Sequence, residues 1–289
     1  DPSAFQVATP IDWDGQTTPP AGSPGYAVRM YDDAWGGGQD KVELWEINLD
    51  WENADNSSLV GPIDLPTAPF ESQLCQFGIF DCLPHPSGQL VSALQHVIMH
   101  RVPYMNFGSH ESIVLQFAVD VNGEDRAGIR WMELRKNDGG TWSLYQEGTH
   151  APDDPHNRFM GSIGMDRNGN ILLAYTLGGP EKEFSLAFTG RLANDPLGEM
   201  TVEEYEFATG LSSGTTQRWG DYASMSIHPT NGTDFWFTGQ YMQENQWSTK
   251  IMMARVNRDS NDVGPQTIIT PQSSGYLTDA ETLEVGVRN

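Results

Sequence analysis

The sequence predicts an all-β chain, a β-propeller of four-stranded antiparallel blades, with about four blades in 289 residues that either close among themselves or form part of a larger ring. Three observations lead there. In residues 218–242, Tyr222, Ser224, Ser226 and His228 alternate with Ala223, Met225 and Ile227, the period-two pattern of a strand. Pro229-Thr230-Asn231-Gly232 then supplies turn chemistry before the β-prone run at 235–238. The same order of arginine plus aromatic, small and apolar strand, Asn-Gly turn and apolar strand recurs at 158–176. Ser162 and Ser224 stand sixty-two residues apart, and a fainter copy puts Ser92 seventy residues before Ser162. Strand-only repeats of this length are what propeller blades leave in a sequence. Finally, with 30 glycines and 18 prolines, no long stretch keeps helical periodicity without interruption.

Taken in order, the blade-like units fall at about 10–75, 76–150, 151–212 and 213–270, followed by a tail at 271–289. Residues 4–7 read as the end of a strand whose partners lie upstream. With the abrupt start at Asp1, this leads to the expectation of a companion N-terminal fragment or another chain that completes the ring. Residues 26–31 and 41–51 pair across Gly36-Gly37-Gly38, and 58–70, broken by three prolines, suits an outer edge, because proline cannot donate to a ladder. Residues 89–95 and 96–105 are expected as inner strands, with 111–121, 127–135 and 141–148 completing that sheet. The third unit continues through 184–192 and 201–207. The fourth continues through 248–256 and 266–270, and the apolar Leu283, Val285 and Val287 can pair the tail back onto a blade.

A formal charge of −23 with four lysines excludes nucleic acid and anionic membrane surfaces as natural partners, since both would be repelled. The acidity serves solubility. It also supplies hard oxygen ligands for calcium in the turn at 50–56 and at Asp153-Asp154, neither with EF-hand spacing. Cys75 and Cys82 are the only cysteines, too few for a cysteine-rich zinc site but placed to close a short loop. A disulfide there implies an oxidising, extracellular compartment. No apolar run is long enough to span a membrane as a helix.

Chemistry-bearing residues concentrate in the loops expected on one axial face: Arg158-Phe159, the 218–222 segment, 104–111 and 240–247. Guanidinium groups grip carboxylates bidentately and aromatic faces stack on sugar rings, so Arg158, Arg218, Trp219, Asn106 and His110 are candidate ligand-binding residues. Glu111 and Asp221 are candidates to divide acid and base roles in glycoside cleavage, with Tyr222 beside them. Each has a plain structural alternative. Arg218 and Asp221 can simply pair with each other, Trp219 and Phe159 can be packing aromatics, and His96 with His100 can be core histidines rather than metal ligands. Asn56-Ser57-Ser58 and Asn231-Gly232-Thr233 match the glycosylation acceptor. Phosphate loops, nucleophile elbows and zinc-protease helices are absent from the sequence.

The strings WGDYASMSIHP at 219–229, NRFMGSIGMDRNGNI at 157–171, NFGSHES at 106–112 and TGRLANDPLGEM at 189–200 resemble the C-terminal portion of a group of secreted bacterial β-propeller proteins, similar in turn to sialidase-type BNR-repeat propellers. Residues 136–142 resemble the Asp-box turn of the latter, one residue short and without its serine. The likeness spans 12–256 and implies a secreted propeller with further blades upstream. It does not imply sialidase activity, for which Arg158, Arg218, Tyr222, Glu111 and Asp221 would have to be joined by a third arginine that no motif marks. Three functions fit: a binding or adhesion module recognising a glycan or protein partner through its axial face, a structural subunit of an extracellular assembly, or a hydrolase or lyase acting on acidic glycans.

Overall fold

The computed structural model describes residues 7–76, 79–212, 217–243, 246–257 and 282–286. The chain is all-β, and its sheets are built from consecutive antiparallel meanders. The first unit runs β1 (Thr9–Trp13), β2 (Gly25–Tyr31), β3 (Lys41–Asn48) and β4 (Ser58–Pro66). A short hairpin, β5 (Asp81–Pro84) with β6 (Leu90–Ser92), follows it. The second unit is β7 (Val102–Asn106), β8 (His110–Asp120), β9 (Ala127–Asn137) and β10 (Ser143–His150). The third is β11 (Asn157–Met165), β12 (Ile171–Gly179), β13 (Lys182–Arg191) and β14 (Val202–Ala208). The fourth is β15 (Ser224–Ile227), β16 (Phe235–Gln243), β17 (Gln246–Asn257) and β18 (Thr282–Gly286).

Successive units pack face to face, which gives the radial arrangement of a β-propeller. Val28, Met30, Val42 and Leu44 of the first unit interleave with Ile113, Leu115, Phe117 and Met132 of the second. Val114, Ile129 and Trp131, on the other side of the second sheet, meet Ile163, Ile171, Leu173 and Tyr175 of the third. Leu172, Ala174, Leu186 and Phe188, again from the opposite side, meet Met225, Phe235, Phe237 and Met252 of the fourth. Sheets two and three are therefore buried on both faces. That is why β11 and β12 are buried along their whole length and β8 along all but its ends, while the outer β4 is mostly exposed.

The innermost strands β1, β7, β11 and β15 lie side by side. β1 hydrogen-bonds to β7 in parallel, with Ile11 opposite Val102 and Trp13 opposite Tyr104, so units one and two share a continuous eight-stranded sheet. Ser162 of β11 ties the rest together: its Oγ accepts from the backbone N–H of Arg101 at 3.3 Å and of Met225 at 3.0 Å, and donates to the His100 carbonyl at 3.1 Å. A serine at this position links the third unit to backbone groups of the second and the fourth at once.

Two expectations are corrected by this register. The innermost strand of the second unit is β7, so Ser92, in the separate β5–β6 hairpin, is not the counterpart of Ser162 and Ser224. Residues 96–101 are not strand, because that segment carries the chain from the hairpin to the axis. The fourth sheet is closed by β18, which pairs in parallel with β17, Ala254 opposite Leu283. The expected strands at 4–6 and 266–270 lie outside the described residues.

Candidate functional site

One end of the propeller is closed. Residues 67–76 and 79–99 cross the ends of units two, three and four, pinned by the Cys75–Cys82 disulfide expected from the sequence. Leu74, Cys75, Leu83, Val91, Ala93 and Met99 from this cap bury Phe159, Met160, Phe184, Trp219 and Met242 at the incoming ends of the inner strands and the neighbouring turns. The ring of His85 meets Phe184 edge-on at 4.5 Å, and Phe184 meets Trp219 at 5.2 Å. Polar ties finish the seal: Cys75 N–H to Asp125 Oδ1 at 2.7 Å, Asp120 N–H to the Glu71 carbonyl at 2.8 Å, and Ser92 N–H to the Gln217 carbonyl at 2.9 Å.

Much of the face on which the sequence placed a ligand pocket is thus packed. Trp219 is 1% exposed and belongs to the cap core. Gly220, at φ +63°, gives its loop the left-handed turn that a side chain would strain, and sits over Met160 and Thr176. Arg158 is fully buried, and its guanidinium is occupied: Nε and Nη2 donate to Glu204 at 2.6 and 2.8 Å, Nη1 and Nη2 to Asp154 at 3.0 and 2.7 Å. Glu204 also accepts from Tyr175 Oη at 2.6 Å and lies 3.2 Å from His150 Nε2. Burial pushes the Glu204 carboxyl up, but this ring of donors overrides it and holds the group well below its ordinary range. Arg218 pairs with Asp221, and Tyr222 is exposed to solvent beside them.

The remaining sequence candidates lie at the opposite end. The 106–110 turn joins the first and second strands of its sheet, whereas Arg218 to Tyr222 lead into a first strand, so the two segments cannot share a face. Glu111 is buried against Tyr104 Oη at 2.7 Å and Lys136 Nζ at 3.0 Å. Asn106 spends its amide on the Thr18 carbonyl and its oxygen on Gly108 N–H, and His110 stacks on Phe107. Glu111 and Asp221 are not brought together. The acidic turn offered for calcium is satisfied by its own backbone, Asp50 accepting from Glu52 and Asn53 N–H, while Asp154 is held by Arg158.

What the structure does gather is a polar cluster where unit four meets unit one. Asp12 and Asp14 stand two apart at the end of β1, which puts both carboxylates on one side of the strand. Arg101, entering β7, reaches both: Nε to Asp12 Oδ2 at 2.9 Å, and Nη2 to Asp14 Oδ1 at 2.9 Å. Its Nη1 also reaches the Met225 carbonyl of β15 at 3.3 Å. His100 Nε2 lies 3.7 Å from Asp12 Oδ2. Gln16 donates to the carbonyls of Pro229 and Thr230, and no apolar cluster joins units four and one among the described residues. The environments within the cluster differ. Asp14 and Arg101 are 10% and 16% exposed at the side chain, while Asp12 and His100 are 47% and 58% exposed. Burial pushes the Asp14 carboxyl above its ordinary 3.8, against the opposing pull of Arg101.

Sequence reasoning passed over this cluster. Asp12-Trp13-Asp14 is a usable signal only once the segment is known to be a strand, where alternate residues share a face. The eighty-nine residues separating Asp12 from Arg101 left nothing local to connect them.

No family model and no curated protein matches the chain. Among solved structures, it is similar to a GH43 endo-arabinanase from Bacillus licheniformis, at 12% identity and a TM-score of 0.36 over 84% of this chain and 74% of that one. It is also similar to a protein described as a glycoside hydrolase, at 11% identity and a TM-score of 0.36 over 92% of this chain and 72% of that one.

Proposed function

We propose that this chain is an extracellular glycan-binding propeller whose ligand site is the cluster of Asp12, Asp14, His100 and Arg101. The observation that carries the reading is the division of exposure within one connected group. Arg101 and Asp14 form a buried, rigid base, and Asp12 and His100 rise from it into solvent. A carboxylate held from below presents its remaining lone pairs in a set direction, which is what recognition of sugar hydroxyls needs. The disulfide is consistent with an oxidising compartment. Calorimetric titration of the chain with a panel of oligosaccharides tests the proposal. Binding that Asp12→Asn or His100→Ala weakens at least tenfold, with thermal stability preserved, supports it. Affinity indifferent to both substitutions removes the site.

A second reading follows from the same two carboxylates. Asp12 and Asp14 are held on a single guanidinium, a pair of neighbouring carboxylates of the kind that glycoside cleavage uses. Asp14, with its proton affinity raised, and the solvent-facing Asp12 are unequal in the sense that acid and base roles require. The bidentate grip of Arg101 on Asp14 favours binding over turnover, because a clamped carboxylate is poorly placed to deliver a proton. Release of reducing ends from any ligand found in the panel, abolished by Asp14→Asn, would decide for hydrolysis.

A further inference from the structure

The charge around the cluster narrows the ligand beyond a glycan in general. An acidic sugar needs a cation with an open face, and the two arginines that the sequence offered for this are engaged, as is the arginine of the cluster. Arg158 is sealed between Glu204 and Asp154, Arg218 is paired with Asp221, and Arg101 is divided among Asp12, Asp14 and a backbone carbonyl. The solvent-facing acceptor is Asp12. Its Oδ2 is tied to Arg101, and its Oδ1 takes no hydrogen bond from the protein among the described residues. With two carboxylates against one guanidinium, and a chain of net charge −23, the field at this point repels anions and attracts cations.

We infer that the site selects sugars bearing an amino group over neutral ones, and excludes uronic and sulfated sugars. The inference rests on the glycan-binding reading and specifies its ligand. The protonated amine donates to Asp12 Oδ1, a charge-assisted hydrogen bond stronger than the hydroxyl bond that a neutral sugar makes at the same oxygen. Arg101 stays with Asp14, so binding breaks no existing pair. A uronate brought to the same place sets a second carboxylate against Asp12, and the Arg101 guanidinium beside it is already shared between Asp12 and Asp14.

The test uses the whole chain and three tetrasaccharides of equal length: β-1,4-linked glucosamine, its fully N-acetylated counterpart, and galacturonate, titrated at pH 6.5 in low salt. The expected result is a Kd for the amine at least tenfold below that of the acetylated sugar, with no detectable galacturonate binding. Asp12→Asn is expected to bring amine and acetylated sugar to equal affinity. In the unmodified protein, 0.5 M NaCl is expected to erode the preference without abolishing acetylated-sugar binding, since screening acts on the charge alone. Galacturonate binding as tightly as the amine overturns the inference and leaves the glycan-binding reading intact. So does a preference that survives both Asp12→Asn and high salt. Failure of all three sugars removes the glycan-binding reading itself.

Discussion

Glu204→Gln separates a structural arginine from a ligand-binding one. In the folded chain the Arg158 guanidinium is fully buried, and its charge is balanced by Glu204 and Asp154, each through two bonds. The substitution keeps the shape of the side chain and removes the charge. It leaves Arg158 with one carboxylate and deprives Tyr175 and His150 of their charged partner. Breaking one member of a buried pair costs about 3–5 kcal/mol, and the surviving Asp154 argues for the lower end, about 3 kcal/mol. Unfolding entropy of about 2.1 cal/mol/K per residue amounts to about 0.6 kcal/mol/K for a chain of 289 residues, so the midpoint should fall by about 5 °C. The acid limb changes as well. Because Glu204 is held below its ordinary 4.5, its contribution is complete above that pH and is lost as the pH falls toward the folded value. The variant should therefore lose less stability than the parent between pH 5 and pH 3. Differential scanning calorimetry across this range measures both effects. An unchanged midpoint, or lost ligand affinity at unchanged stability, would refute the assignment of Arg158 to the interior.

Other perturbations probe the cap, the core and the axis. Replacing Cys75 and Cys82 by serine opens a loop of seven residues' separation, worth about 2.5 kcal/mol in chain entropy, and should expose the cap to protease before the sheets unfold. Limited proteolysis with and without reductant reads this, and equal resistance would argue against the cap as a separate unit. Trp219→Ala should cost about 3–5 kcal/mol in chemical denaturation and leave sugar affinity unaltered in the folded fraction, since the ring is core rather than platform. Arg101→Gln should lower sugar affinity more than tenfold and raise the Asp14 pKa further, because the cation opposing its burial is gone. Carboxyl-selective NMR titration reports the second effect. In the unaltered chain the sign at Asp14 is opposite to that at Glu204. Its folded pKa lies above the unfolded value, so its contribution to stability is full below 3.8 and is lost as the pH rises through the folded value.

The strands were legible because local rules govern them. The Asn-Gly turns at 168–169 and 231–232 and the apolar runs of β11, β12 and β16 announce hairpins without any knowledge of their neighbours. The disulfide was legible for the same reason, as two cysteines close in sequence with no rival partner. The second unit was misregistered because 67–99 contains a true but peripheral hairpin, β5–β6, whose alternation looks like that of an innermost strand. Periodicity reports that a segment pairs, but not where its sheet stands in the ring.

The site divides along the same line. By itself the sequence determined an acidic all-β chain with Asp12 and Asp14 two residues apart, and only the strand at Thr9–Trp13 turned that spacing into a shared face. Only the tertiary structure decided which arginine meets them, that Arg158 turns inward to Glu204, and that the cap seals Trp219 away from any ligand. A side chain's partners are set by which strands converge, and in a radial stack of sheets the groups that meet at the axis come from distant points along the chain.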